Sequence, residues 1–189
     1  MNKPRKQRSG FSNTAKSQAS KTQLSNNSAC HTAKEHQAIT LISQEKFLEA
    51  EAIYRELIAA GTRNHIVYNN LATLCGMQGR FDELIDLLNK TLQLKPYYPE
   101  AHYNLGIALQ QQGDLTAAIS SFNTALQLKP NYPDAHINLG NALQEQGDLT
   151  AAISSFNIAL QLKPNHPDAH INLGIALQQQ GDLTAAISS

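Results

Sequence analysis

From Pro99 onward the chain repeats itself every 34 residues. PEAHYNLGIALQQQGDLTAAISSFNTALQLKPNY is followed by PDAHINLGNALQEQGDLTAAISSFNIALQLKPNH, and then by PDAHINLGIALQQQGDLTAAISS. The first two copies differ at six of 34 positions. A fixed period of this length means stacked supersecondary units in place of one globular core. Such a stack presents an extended surface, which suits binding better than catalysis.

The frame extends backward. Residues 65–98 match residues 99–132 at 12 of 34 positions. Residues 31–64 form a weaker copy, anchored by Phe47, Ala50 and Tyr54. The units are therefore 31–64, 65–98, 99–132, 133–166 and an incomplete 167–189. Residues 1–30 are rich in Ser, Asn, Gln and Lys and read as a basic, disordered tail, with too little apolar surface to offset the entropy of ordering. That tail holds six basic residues and no acidic one, and the remainder carries a net charge of −6. A mildly acidic body is a poor match for nucleic acid. No apolar run reaches the length of a membrane span, and no secretory h-region is present. With Cys30 in the tail and Cys75 in an apolar helix, a disulfide is not expected, and a reducing cytoplasmic setting fits.

Each unit reads as two helices. In 99–132 the first begins at Pro99, whose missing N–H costs nothing in a first turn. His102, Leu105, Gly106 and Leu109 recur at i, i+3, i+4, i+7 and form a stripe expected to be buried. Gly113 is placed as a left-handed cap, with Asp114 capping the second helix. That helix is expected to bury Leu115, Ala118, Ile119, Phe122, Ala125 and Leu126, and Pro130 stops it. The same reading puts a helix break at Gly181, a cap at Asp182 and the start of a second helix before Ser189. A solenoid normally ends in a polar-faced cap, and none is seen, so the sequence reads as truncated.

Leu105, Gly106, Ala118, Phe122, Ala125 and Pro130, repeated as Leu139, Gly140, Ala152, Phe156, Ala159 and Pro164, resemble the tetratricopeptide repeat family. The resemblance covers residues 65–189 strongly and 31–64 moderately. The family's large aromatic near the start of the first helix is replaced here by His102, His136 and His170; Tyr68 keeps an aromatic there. The resemblance implies an all-α, right-handed solenoid of antiparallel helix hairpins, with first helices lining a concave side.

No catalytic motif appears: there is no GxSxG, HExxH or GxxxxGK[ST]. The three recurring histidines sit on helices expected roughly 10 Å apart. One zinc ion needs nitrogen ligands at about 2.0–2.1 Å and cannot collect all three, so they read as structural. No metal site, cofactor or enzymatic activity is expected.

The strongest functional signal is asparagine. Asn70, Asn104, Asn138 and Asn172 occupy equivalent places on four first helices. On a helical wheel Asn104 falls about 150° from the centre of the expected stripe, and asparagine is a mediocre helix former. Asn70 is the telling member, because it persists in a unit where 22 of 34 positions have changed. A carboxamide both donates and accepts, as a peptide group does. An extended peptide advances about 3.3 Å per residue, so one asparagine per repeat could clamp about every third peptide unit. The alternative is bonding to neighbouring repeats or water. An asparagine ladder is also a feature of the repeat array of the O-linked N-acetylglucosamine transferases, and AHINLGNALQEQGD is similar to their units. The candidate peptide-binding residues are Asn70, Asn104, Asn138, Asn172, Ile107, Gln111, Asn141 and Ile175, flanked by Gln110, Gln144, Gln178 and Gln179. They form a neutral, polar groove without the basic pattern that holds a terminal carboxylate. The expected partner is a protein or peptide. Two other readings stay open: the substrate-recognition part of a larger transferase, and a self-assembling scaffold.

Overall fold

In the computed structural model one left-handed residue recurs at the same place in four successive units. It is Glu45 (φ 58°), then Gly79 (72°), Gly113 (83°) and Gly147 (94°). Glycine enters this region without a Cβ penalty. Glu45 shows that the frame reaches the first unit even where the glycine is missing. The structure describes the backbone of residues 30–187 and the side chains of residues 30–181. The tail read from residues 1–29 lies outside them.

Every element among the described residues is an α-helix. Helix α1 covers residues 30–43. It is followed by α2 (Phe47–Ala59), α3 (His65–Met77), α4 (Phe81–Leu94), α5 (Pro99–Gln111), α6 (Leu115–Leu128), α7 (Pro133–Gln146), α8 (Leu149–Leu162) and α9 (Pro167–Ile187). Two compact units divide between Thr62 and Arg63. In the first, Ala38 on α1 and Tyr54 on α2 are fully buried, and Lys34 pairs with Glu56 between the two helices.

In the second unit the hairpins α3–α4, α5–α6 and α7–α8 follow one another, and each second helix also packs on the next first helix. The caps are as the residues dictate. Asp114 Oδ1 accepts the Ala117 N–H and Asp148 Oδ1 accepts the Ala151 N–H, each at 3.0 Å, which satisfies orphan donors of the first turn. Pro99 and Pro133 open α5 and α7.

The core follows one steric rule. A Cβ placed on Gly106 would lie 2.6 Å from Phe122 Cε1, and one on Gly140 would lie 2.5 Å from Phe156 Cε1. Each ring thus fills the space that glycine leaves open. Its other side is covered by the next first helix: Phe122 clusters with Leu139 and Ala142, and Phe156 with Ala169 and Ala176. Burying a phenylalanine in this way is worth about 1.5–3 kcal/mol.

The buried stripe differs from the wheel expectation. On α5 the buried residues are Ala101, Gly106 and Ala108, whereas His102, Leu105 and Leu109 are half-buried. The reason is that α5 and α7 are each flanked by two second helices, their own and the preceding one, and small alanines permit the second approach. On α6 Ser121 is buried while Leu115, Ile119 and Leu126 are half-buried. The Ser121 hydroxyl donates to the Ala117 carbonyl at 2.9 Å, so its burial leaves no polar group unpaired.

The last unit departs from the expectation more sharply. Helix α9 runs through Gly181 and Asp182 without a break, and Gly181 is not left-handed. Asp182 is therefore inside a helix and is not a cap. In the units 99–132 and 133–166 the turn is held by a second helix whose phenylalanine docks against the first. The equivalent position, 34 residues after Phe156, lies beyond residue 189, so that anchor is missing from this sequence.

Candidate functional site

The recurring histidines resolve first. His102 Nε2 lies 3.0 Å from the Pro96 carbonyl oxygen, His136 Nε2 3.2 Å from that of Pro130, and His170 Nε2 2.8 Å from that of Pro164. A carbonyl only accepts, so each ring donates from Nε2 and pins the loop that carries the helix-stopping proline. Burial lowers the pKa of His136, and the hydrogen bond to Pro130 opposes that shift in part. Among the described residues no three His, Cys, Asp or Glu side chains converge as metal ligands.

The first helices α5, α7 and α9 are tied edge to edge by carboxamides. Gln110 donates to Glu145 at 2.6 Å, and Asn138 donates to the Tyr103 hydroxyl at 2.9 Å. Gln144 donates to Gln179 at 2.8 Å, and Asn172 donates to Asn141 Oδ1 at 2.8 Å. The four asparagines are thus not equivalent. Asn138 and Asn172 each spend one N–H on the neighbouring repeat and keep a second N–H. Asn70 is half-buried and engaged. Asn104 is half-buried, and its side chain makes no hydrogen bond among the described residues.

Two hollows lie along this face. The first, of roughly 140 Å³, is lined by Ala72 and Thr73 of α3, Leu84 and Leu88 of α4, and Asn104 and Ile107 of α5. Its floor is apolar and buried, and exposed Thr73 stands at its rim. The second, of roughly 370 Å³, is lined by Asn141, Gln144 and Glu145 of α7 and Asn172 and Gln179 of α9. Of the residues singled out from sequence, Asn104 and Ile107 meet at the first hollow and Asn141 and Asn172 at the second. Gln111 and Ile175 are exposed and line neither.

Sequence reasoning missed Ala72, Leu84, Leu88, Tyr103 and Glu145. The signal was present. Where later units pair Gly106 with Phe122 and Gly140 with Phe156, the unit 65–98 pairs Ala72 with Leu88. Tyr103 packs on Phe122 and Tyr132, with ring centroids 6.1 and 4.9 Å apart, and burial raises its pKa, keeping the hydroxyl protonated. Asn69 stands in its place one repeat earlier.

The first helices α3, α5, α7 and α9 contain no lysine or arginine; their charged residues are Glu100, Asp134, Glu145, Asp168 and Asp182. Among the described residues no helix is long and apolar enough to cross a membrane.

No curated protein sequence matches the chain. Solved structures do. MamA superposes with a TM-score of 0.73 at 25% identity, covering 76% of this chain and 84% of that one. The first TPR of Spaghetti (RPAP3), solved bound to the HSP90 peptide SRMEEVD, gives 0.61 at 26% identity, covering 62% and 93%. YrrB, described as a TPR protein with an unusual peptide-binding site, gives 0.69 at 23% identity, covering 77% and 75%. These chains share the solenoid of stacked helix hairpins. The family model described as TPR repeat matches residues 77–113, 108–147 and 140–181, together more than half of the 189 residues. The recurring glycine–phenylalanine pairs, the proline stops and this match agree: the chain belongs to the tetratricopeptide repeat family.

Proposed function

We propose that this chain is a protein-interaction module that receives an extended segment of a partner on the face formed by α3, α5, α7 and α9. The observation that carries the reading is the row of carboxamides on that face. Among the described residues Asn104 has no side-chain partner, and Asn138 and Asn172 each retain a donor. These groups match the donor and acceptor of a peptide unit, and the contact is to backbone, so it tolerates many sequences. RPAP3, at 26% identity, is a repeat protein solved with a peptide bound, which supports peptide reception by this fold. Its peptide, SRMEEVD, is acidic. A face without lysine or arginine does not suit such a ligand, so an uncharged or basic segment fits this chain better.

The test is fluorescence anisotropy on unrelated unstructured peptides, with circular dichroism as the control. Asn104→Ala is expected to weaken every bound peptide by a similar amount, about 0.5–1.5 kcal/mol, with helicity unchanged. Replacing Asn70, Asn104, Asn138 and Asn172 together is expected to weaken binding further. Full affinity in that quadruple variant would sink the reading.

A further inference from the structure

We infer that the hollow between α3 and α5 receives one apolar side chain, of leucine to phenylalanine size, from an extended segment of a partner protein. This rests on the peptide-receiving face proposed above and adds a specificity to it. The hollow lies against both members of a swapped pair. In the two later repeats a phenylalanine ring fills the space beside glycine. Here Ala72 and Leu88 replace that pair, and the ring is absent. Leu84 replaces the small Ala118 and Ala152, but it leans toward Gly76, where an added Cβ would lie 2.7 Å from its Cδ1. The extra leucine is thus accommodated without filling the hollow.

A second replacement acts in the same direction. Tyr103 covers Phe122 and holds Asn138 through its hydroxyl. Asn69 occupies the corresponding position one repeat earlier, and Asn104, the counterpart of Asn138, makes no such bond. An apolar recess therefore stands beside a free carboxamide. The recess takes a side chain and the carboxamide takes the peptide group that carries it. A volume of roughly 140 Å³ is close to that of apolar protein cavities that admit benzene, about 150 Å³, which sets the upper size. The charges fix the rest of the partner. Glu100 is paired with Lys129 and Asp134 lies against His166, while Glu145 lines the second hollow and these first helices carry no lysine or arginine, so a neutral or basic segment complements the face better than an acidic one.

Two measurements test this. In the first, benzene is titrated against the protein and the methyl resonances of Ala72, Leu84, Leu88 and Ile107 are followed by NMR. All four are expected to shift in the natural protein; in A72G/L88F, which restores the pair used by the two later repeats, the methyls that remain, those of Leu84 and Ile107, are expected to stay still. In the second, fluorescein-labelled Lys-Gly-Ser-X-Ser-Gly-Lys peptides are compared with X as Gly, Ala, Leu, Phe or Asp. Affinity is expected to rise about tenfold or more from Gly to Leu, as burial of one apolar side chain allows. In A72G/L88F that gain is expected to vanish while the Gly peptide binds as before. Thr73→Phe, a change at the exposed rim, is expected to act in the same way if the double variant fails to fold. Peptides that bind equally whatever X is, with methyls unmoved by benzene, overturn the side-chain pocket and leave the peptide-receiving face standing. Peptides that all fail to bind while benzene moves the methyls overturn the face, and the inference falls with it.

Discussion

Gly140 and Phe156 stand on different helices of one hairpin, and the ring lies where a Cβ on the glycine would be. A methyl on Gly140 would meet the ring at 2.5 Å. Gly140→Ala is therefore expected to destabilise by about 1–3 kcal/mol through overpacking, although alanine is the better helix former. Adding Phe156→Leu recreates the Ala72–Leu88 pair and is expected to recover part of that loss. A double-mutant cycle in urea checks it, and strict additivity of the two changes would refute the coupling. The glycine–phenylalanine pair was legible from its recurrence. The bond from His136 to Pro130 was not, because a wheel shows only one helix and this contact spans a loop. What could have revealed it is the constant six-residue offset from Pro96 to His102, Pro130 to His136 and Pro164 to His170.

At the scale of elements, helix identity and the turn positions followed from proline and glycine punctuation, and Asp114 and Asp148 cap as their positions suggest. The last unit did not follow. Gly147 is left-handed, and Gly181, its equivalent, lies inside α9. A glycine permits a turn but does not impose one; docking of the following helix does that. Substituting alanine at these two equivalent positions should thus have opposite signs. Gly147→Ala is expected to cost about 1–2 kcal/mol, the left-handed penalty, and Gly181→Ala to stabilise α9 by up to about 1 kcal/mol. Hydrogen exchange across α9 and urea denaturation read the two changes. A loss of stability in Gly181→Ala would mean that the backbone turns there in solution.

For the molecule as a whole, the repeat frame fixed the class of fold, and charge fixed the character of the face. Which carboxamides are free is set by contacts between repeats, such as Tyr103 with Asn138, and one unit read alone cannot supply them. Histidine links the stack to pH. Burial holds His136 below its ordinary pKa of 6.5, and burial together with the Lys95 charge does the same for His65. Each favours the neutral form in the folded state, so its stabilising contribution is complete above 6.5 and is lost as pH falls through the lower folded value. Global stability in urea is expected to drop as pH falls below 6.5. His136→Tyr, which places there the residue type found at Tyr68, should show a smaller drop, His65 supplying the remainder. An unchanged slope would remove His136 from the account.

The swapped pair also constrains how such a gene grows. Suppose a duplication breaks between the two helices of a unit and joins a first helix like α3 to a second helix like α6. Ala72 would then face Phe122, and the ring would have to shift from the place it takes beside glycine. The reciprocal junction would set glycine against leucine and leave a void. Crossovers that fall outside the stretch between the two partners pass both on together. Near-identical copies therefore multiply without repacking as whole 34-residue cassettes.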